Sequence, residues 1–161
     1  MSASSAHNRQ IDGRYVNRKM IDKTNGTTTV PGMQGQISSE LTRAAFLSSP
    51  IAEKAVVCVK NEPWCSWSLS PTVTGETTWY AHLYFHGERL NRVDLAIGAT
   101  NESQSWDDWT KENEMARKMV HDALLSENLG TPPYDYTWGK VFSVFDERRG
   151  GSCIIVDYEK K

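Results

Sequence analysis

The side chains of this 161-residue chain with the best claim to chemistry sit in one run, TTWYAHLYFHG, over residues 77–87. Tyr80, His82, Tyr84 and His86 alternate there with Trp79, Ala81, Leu83 and Phe85. A period of two is that of a β-strand, so the polar set takes one face and the apolar set the other. RLNRVDLAIG comes next across a tight turn at Gly87 and Glu88, and a hairpin would bring Arg92 and Asp94 onto the polar face. Two histidines four residues apart on a strand are separated by about 13 Å and cannot share a metal ion. A histidine paired with Asp94 from the neighbouring strand would titrate away from its usual range. As a general acid or base it would also need a substrate pocket over the face. Tyr80, His82, Tyr84, His86, Arg92 and Asp94 are thus the candidate ligand face, with a solvated sheet face as the simpler account.

A second grouping is acidic. Residues 101–128, which include SWDDWTKENEMARK, hold seven acidic side chains against three basic ones. Trp106, Asp107, Asp108, Glu112 and Glu114, with Tyr134 and Tyr136 just beyond the helix, form a candidate patch for docking a basic protein, since charge of one sign steers a partner of the other. A solvated helix face explains the same charges: Glu114 and Lys118 make a favourable i,i+4 pair, and Asp107 and Asp108 suit a helix N-terminus.

The remaining motifs are silent. His121 stands two helical turns from Glu114, about 10 Å, and there is no HExxH. No GxSxG elbow or P-loop occurs, and Arg148, Arg149, Gly150 and Gly151 read as a hairpin turn. Cys58, Cys65 and Cys153 form no CxxC pair and read as small buried hydrophobes, so neither a catalytic set, a metal site nor a cofactor is expected.

The elements that position these residues centre on Ser105–Gly130. Ser105 with Asp108 resembles a capping box, which predicts a helix beginning at about Trp106. Trp109, Ala116, Met119, Val120, Ala123 and Leu124 give it an apolar stripe, and Gly130 with Pro132 and Pro133 ends it. A short helix in ELTRAAFLSS, capped by Ser38 or Ser39, comes earlier, with Leu41, Ala44, Ala45 and Phe46 on its buried side. KAVVCVKN, WCSWSLS, the hairpin above, YDYTWGKVFSVFDE and SCIIVDYE read as strands. The prediction is an α+β fold: a mostly antiparallel sheet of about six strands, one long helix packed on a face, and a short N-terminal helix. Residues 1–36 are polar, turn-rich and net basic, and read as a flexible arm before a single α+β domain over 37–161.

A net charge of −2 gives no support to a nucleic-acid or anionic-membrane partner. MSASSAHNRQIDG lacks the apolar core of a secretory signal, and no run reaches the roughly 18 apolar residues of a membrane span, so a cytoplasmic location is expected.

The helix opening SWDDWTKENEMARK, then LGTPPYDYTWGKVFSVFD, a basic glycine turn and a final CIIVDY resemble small bacterial proteins encoded beside secreted polymorphic toxins. The similarity is one of pattern and spans roughly residues 40–160. Such neighbours are typically immunity proteins, which occlude a cognate toxin through contacts that depend on the toxin, so no residue role carries over. The resemblance implies a non-enzymatic binding protein with a toxin, basic on the charge argument, as partner. The alternatives are a small enzyme or ligand-binding protein using the Tyr/His face, and a structural homodimer.

Overall fold

The computed structural model describes residues 10–11, 14–15, 19–99, 109–148 and 150–158. Its elements are α1 (Arg43–Leu47), a single 3-10 turn (Pro50–Ala52), β1 (Val56–Asn61), β2 (Trp64–Ser68), β3 (Thr72–Thr74), β4 (Thr77–His86), β5 (Arg89–Ala99), α2 (Lys111–Leu129), β6 (Tyr134–Tyr136), β7 (Gly139–Asp146) and β8 (Gly151–Asp157). The fold is α+β, with eight strands in one antiparallel sheet ordered β1-β2-β4-β5-β8-β7-β6 and β3 paired to β4. Residues Gln10–Ile11 and Arg14–Tyr15 pair with each other outside it.

Two strands exceed the expected six. Thr72–Thr74 is too short for alternation to register, and YDYTWGKVFSVFDE is split at Thr137 and Trp138. Trp138 causes the split: its ring turns into the core and its Nε1 donates to Lys23 O at 2.8 Å. The β4–β5 hairpin keeps to the alternation. Trp79, Ala81, Leu83 and Phe85 pack with Val93, Leu95 and Ile97 in the core, and Gly87 supplies a positive φ of 62° at the turn. In α1 the cap is Thr42, whose Oγ1 accepts from Ala45 N at 3.1 Å, rather than Ser38 or Ser39. Of its expected apolar side only Phe46 is fully buried, edge-on to Trp67 at 5.4 Å.

The long helix begins at Lys111, about five residues later than the capping-box reading placed it. Thr110 is its N-cap, extended at φ −139° and ψ 149°, with its hydroxyl accepting from Asn113 N at 3.0 Å. Its buried face also differs from the expected stripe. Met119 is 71% exposed and Ala116 and Ala123 face solvent, while His121, Leu124, Leu125 and Leu129 are buried.

The reason lies in the sheet. β8 pairs with β5 only from Leu95 to Arg92, so toward Ile97 and Ser152 the two strands part. Polar side chains of α2 take up backbone groups on either side of that opening. Arg117 Nη1 donates to Ile97 O at 2.5 Å, His121 Nε2 accepts from Ile97 N at 3.2 Å, and Glu114 Oε1 accepts from Ser152 N at 3.1 Å. His121 Nδ1 then meets Ser152 Oγ at 3.0 Å, which places the imidazole proton on Nδ1. Satisfying buried backbone groups outweighs burying the methionine, so the helix turns Glu114, Arg117 and His121 inward.

Residues 19–36 do not behave as an arm. Met20, Ile21 and Val30 lie in the core with Ile37, and Thr28 is fully buried. Tyr158 Oη donates to Gly26 O at 2.7 Å and lies 3.1 Å from Thr28 Oγ1, and burial pushes its pKa up to about 12. Gly26 has a φ of +77°, and a Cβ there would sit 2.6 Å from Trp138 Cε3. The packed body thus includes residues 19–36. The segment's dense turn formers hid the few apolar residues that anchor it.

Candidate functional site

The hairpin register puts His82 opposite Asp94 and Tyr84 opposite Arg92, on the sheet face away from α2. The six candidate residues do share this face, and several are tied to one another. Arg92 clamps Asp94 through Nε at 2.6 Å and Nη2 at 2.8 Å, and its guanidinium lies 4.6 Å from the Tyr84 ring centre. Those bonds to Asp94 are the main reason the Arg92 pKa stands above its ordinary value. His82 packs on Tyr84 at 4.6 Å and His86 edge-on to Trp64 at 4.6 Å, so the two histidines belong to different aromatic pairs. A shallow recess of about 250 Å³ borders Tyr80, His82, Asp94 and Cys153. That is below the roughly 300–1,000 Å³ typical of small-molecule sites. The arrangement can hold a charged pair and two rings in fixed register. Across the strands the register sets His82 opposite Asp94, whose carboxylate is clamped by Arg92.

The described members of the acidic grouping are not brought together. Trp106, Asp107 and Asp108 lie outside the described residues. Glu112 is exposed on the first turn of α2, whereas Glu114 is turned inward, bonded to Ser152 N and to Arg117 Nε at 3.2 Å. Lys118 pairs with Asp122 at 3.1 Å rather than with Glu114. Tyr134 and Tyr136 follow the other end of this 19-residue helix, and Tyr134 borders Leu125, which at 1.5 Å per residue is about 20 Å along the axis from Glu112. Tyr134 is buried with its hydroxyl donating to Gly130 O at 2.9 Å, and Tyr136 stacks on Trp138 at 5.1 Å.

Of the cysteines, only Cys65 fits the small buried hydrophobe. Its Sγ lies 3.0 Å from Arg43 Nη1, which also binds Glu62 Oε2 at 2.9 Å; this contact between α1 and β2 leaves no local sequence signal. Cys153 is half-buried, and Cys58 is exposed at an irregularity in β1. Among the described residues no group of three His, Cys, Asp or Glu is placed to hold a metal ion. No described helix is long and apolar enough to cross a membrane.

A surface that sequence reasoning missed is the outer edge of β1. All six of its residues are exposed, Val56, Val57 and Val59 by 62%, 49% and 44%. Trp64, paired with Asn61 of β1, extends the apolar surface beside it at 45% exposure. VVCV reads from sequence as a strand, but hydropathy does not say whether a strand is central or terminal in its sheet. No protein-family model, curated protein or solved structure matches this chain.

Proposed function

We propose that the protein is a non-enzymatic, immunity-type binding protein whose partner docks as an added strand along the outer edge of β1. The observation that carries the reading is the exposure of Val56, Val57 and Val59 on a strand that, among the described residues, is paired on one side only. Natural sheets blunt their edges with charge, proline or short strands, because free backbone groups beside apolar side chains recruit another strand. β1 has one irregularity between Val57 and Val59 and two polar residues, Lys60 and Asn61, and otherwise presents three valines and Cys58. Main-chain pairing would supply affinity and the alternate side chains specificity. On the immunity reading the partner is a toxin; because Glu112 and Glu114 are separated from Tyr134 and Tyr136, the reading no longer leans on a basic one.

The test is affinity purification from the native host with two tagged baits, wild type and Val57→Lys/Val59→Lys. Both side chains already face solvent, so the double variant keeps its fold, checked by its melting temperature. The expected result is one stoichiometric protein on the wild-type bait and its loss from the variant. A partner retained undiminished by the variant, or no stoichiometric partner at all, overturns the reading. A second copy of the chain is the other strand this edge admits. A concentration-dependent dimer in sedimentation, abolished by the same substitutions, would reassign the edge to self-pairing.

A further inference from the structure

The opposite edge of the sheet is built differently. β6 covers β7 only as far as Val141, so the rest of β7 runs beside the C-terminal half of α2 with no described strand outside it. A cleft of about 730 Å³ opens there, bordered by Leu125, Pro132, Pro133, Tyr134, Val141 and Ser143. That volume falls within the range of small-molecule sites, and its mainly apolar walls with few polar groups match their usual composition.

Two observations define what would fit. Ser143 Oγ is buried and has no hydrogen-bond partner among the described residues, whereas the Tyr134 hydroxyl is already committed to Gly130 O. Buried hydroxyls are nearly always bonded, so this one has an open donor and acceptor. The charges at the rim are balanced: Asp122 is paired with Lys118, and Asp135 stands opposite Lys140 in the β6–β7 register. A charged ligand would lose hydration without meeting an uncompensated counter-charge.

We infer that this cleft binds a neutral, ring-bearing small molecule whose carbonyl or hydroxyl meets Ser143 Oγ while its ring lies against Leu125, Tyr134 and Val141. The site lies across the sheet from β1, so it stands or falls independently of the docking proposal.

Three probes of one shape and different charge test it: indole-3-acetamide, indole-3-acetate and tryptamine, titrated into 15N-labelled protein at pH 7. The expected result is saturable amide shifts at Leu125, Tyr134 and Ser143, with the neutral amide binding at least about fivefold more tightly than either ion. Ser143→Val should weaken the amide by about five- to tenfold, the effect of one neutral hydrogen bond. Ser143→Thr, which keeps the hydroxyl, should retain most of the affinity, and melting curves confirm that both variants fold. The proposal is overturned if none of the probes gives saturable shifts in these residues, if a charged probe binds as tightly as the amide, or if Ser143→Val leaves amide affinity unchanged.

Discussion

His121 makes the stability of this fold dependent on pH in a calculable way. Burial, reinforced by the positive charge of Arg117 and partly offset by Asp122, pushes its pKa down to about 4 from an ordinary 6.5. The geometry gives the same direction: Nε2 must accept from Ile97 N, and a protonated ring would aim a second donor at that amide. The unfolded chain therefore binds this proton more readily than the folded one between pH 6.5 and 4. Stability from this group is complete above the unfolded pKa, declines as pH falls through that window, and levels off below about pH 4. A difference of about 2.5 units corresponds to roughly 3 kcal/mol in full, of which about 2 kcal/mol is lost between pH 7.5 and 5. Urea unfolding at those two pH values measures it, with His121→Gln as the control. Glutamine can offer an oxygen to Ile97 N and an amide to Ser152 without titrating, and contributions from the other histidines cancel in the comparison. The wild type should lose about 2 kcal/mol more than the variant over this pH step. Equal losses in the two proteins would refute both the tautomer and the buried-acceptor role.

Two further substitutions probe the parts of the fold that differ from sequence expectation. Gly26→Ala places a methyl into the Trp138 ring at a positive φ, and should lower stability in chemical denaturation by about 1–3 kcal/mol; an unchanged midpoint would mean that residues 19–36 do not pack as described. Thr110→Ala removes the hydroxyl that caps α2 at Asn113 N, and should cost about 1 kcal/mol by the same assay. No loss would move the true start of the helix elsewhere.

The elements legible in the sequence were those whose periodicity and partners are both local. β4 and β5 alternate over ten residues or so and are joined by a two-residue turn, so their faces can be read from the alternation, but the register that sets His82 opposite Asp94 depends on an irregularity at Tyr84 and Phe85 that spacing does not show. The helix was legible as an element but not in its rotation. A hydropathy stripe assumes that the buried face is the apolar one. In α2, three polar side chains face inward because strands 20 to 38 residues away leave backbone groups unpaired. Residues 19–36 were obscure for a related reason. Their anchors, Trp138, Tyr158 and Asn128, come from the far end of the chain, and a window centred on Gly26 sees only turn formers.

Sites divide along the same line. The Tyr/His face assembled as expected because one hairpin supplies all six residues. Of the acidic patch, the described Glu112 and Glu114 lie apart from Tyr134 and Tyr136, because residues close in sequence around a helix end up at its two ends. The β1 edge and the Ser143 cleft depend on which strand is last in the sheet and where β6 stops, properties of strand order that no short window contains. Both are places where the sheet's pairing is incomplete, as is the opening between β5 and β8. At that opening the chain fills the gap with its own Glu114, Arg117 and His121. At β1 and beside β7 no described residue does so. The internal gap thus shows what the two outer ones lack: a polar or extended group supplied to the sheet. The two proposed binding sites follow from this contrast, with an added strand suited to the exposed valines and a compact neutral molecule suited to the enclosed cleft.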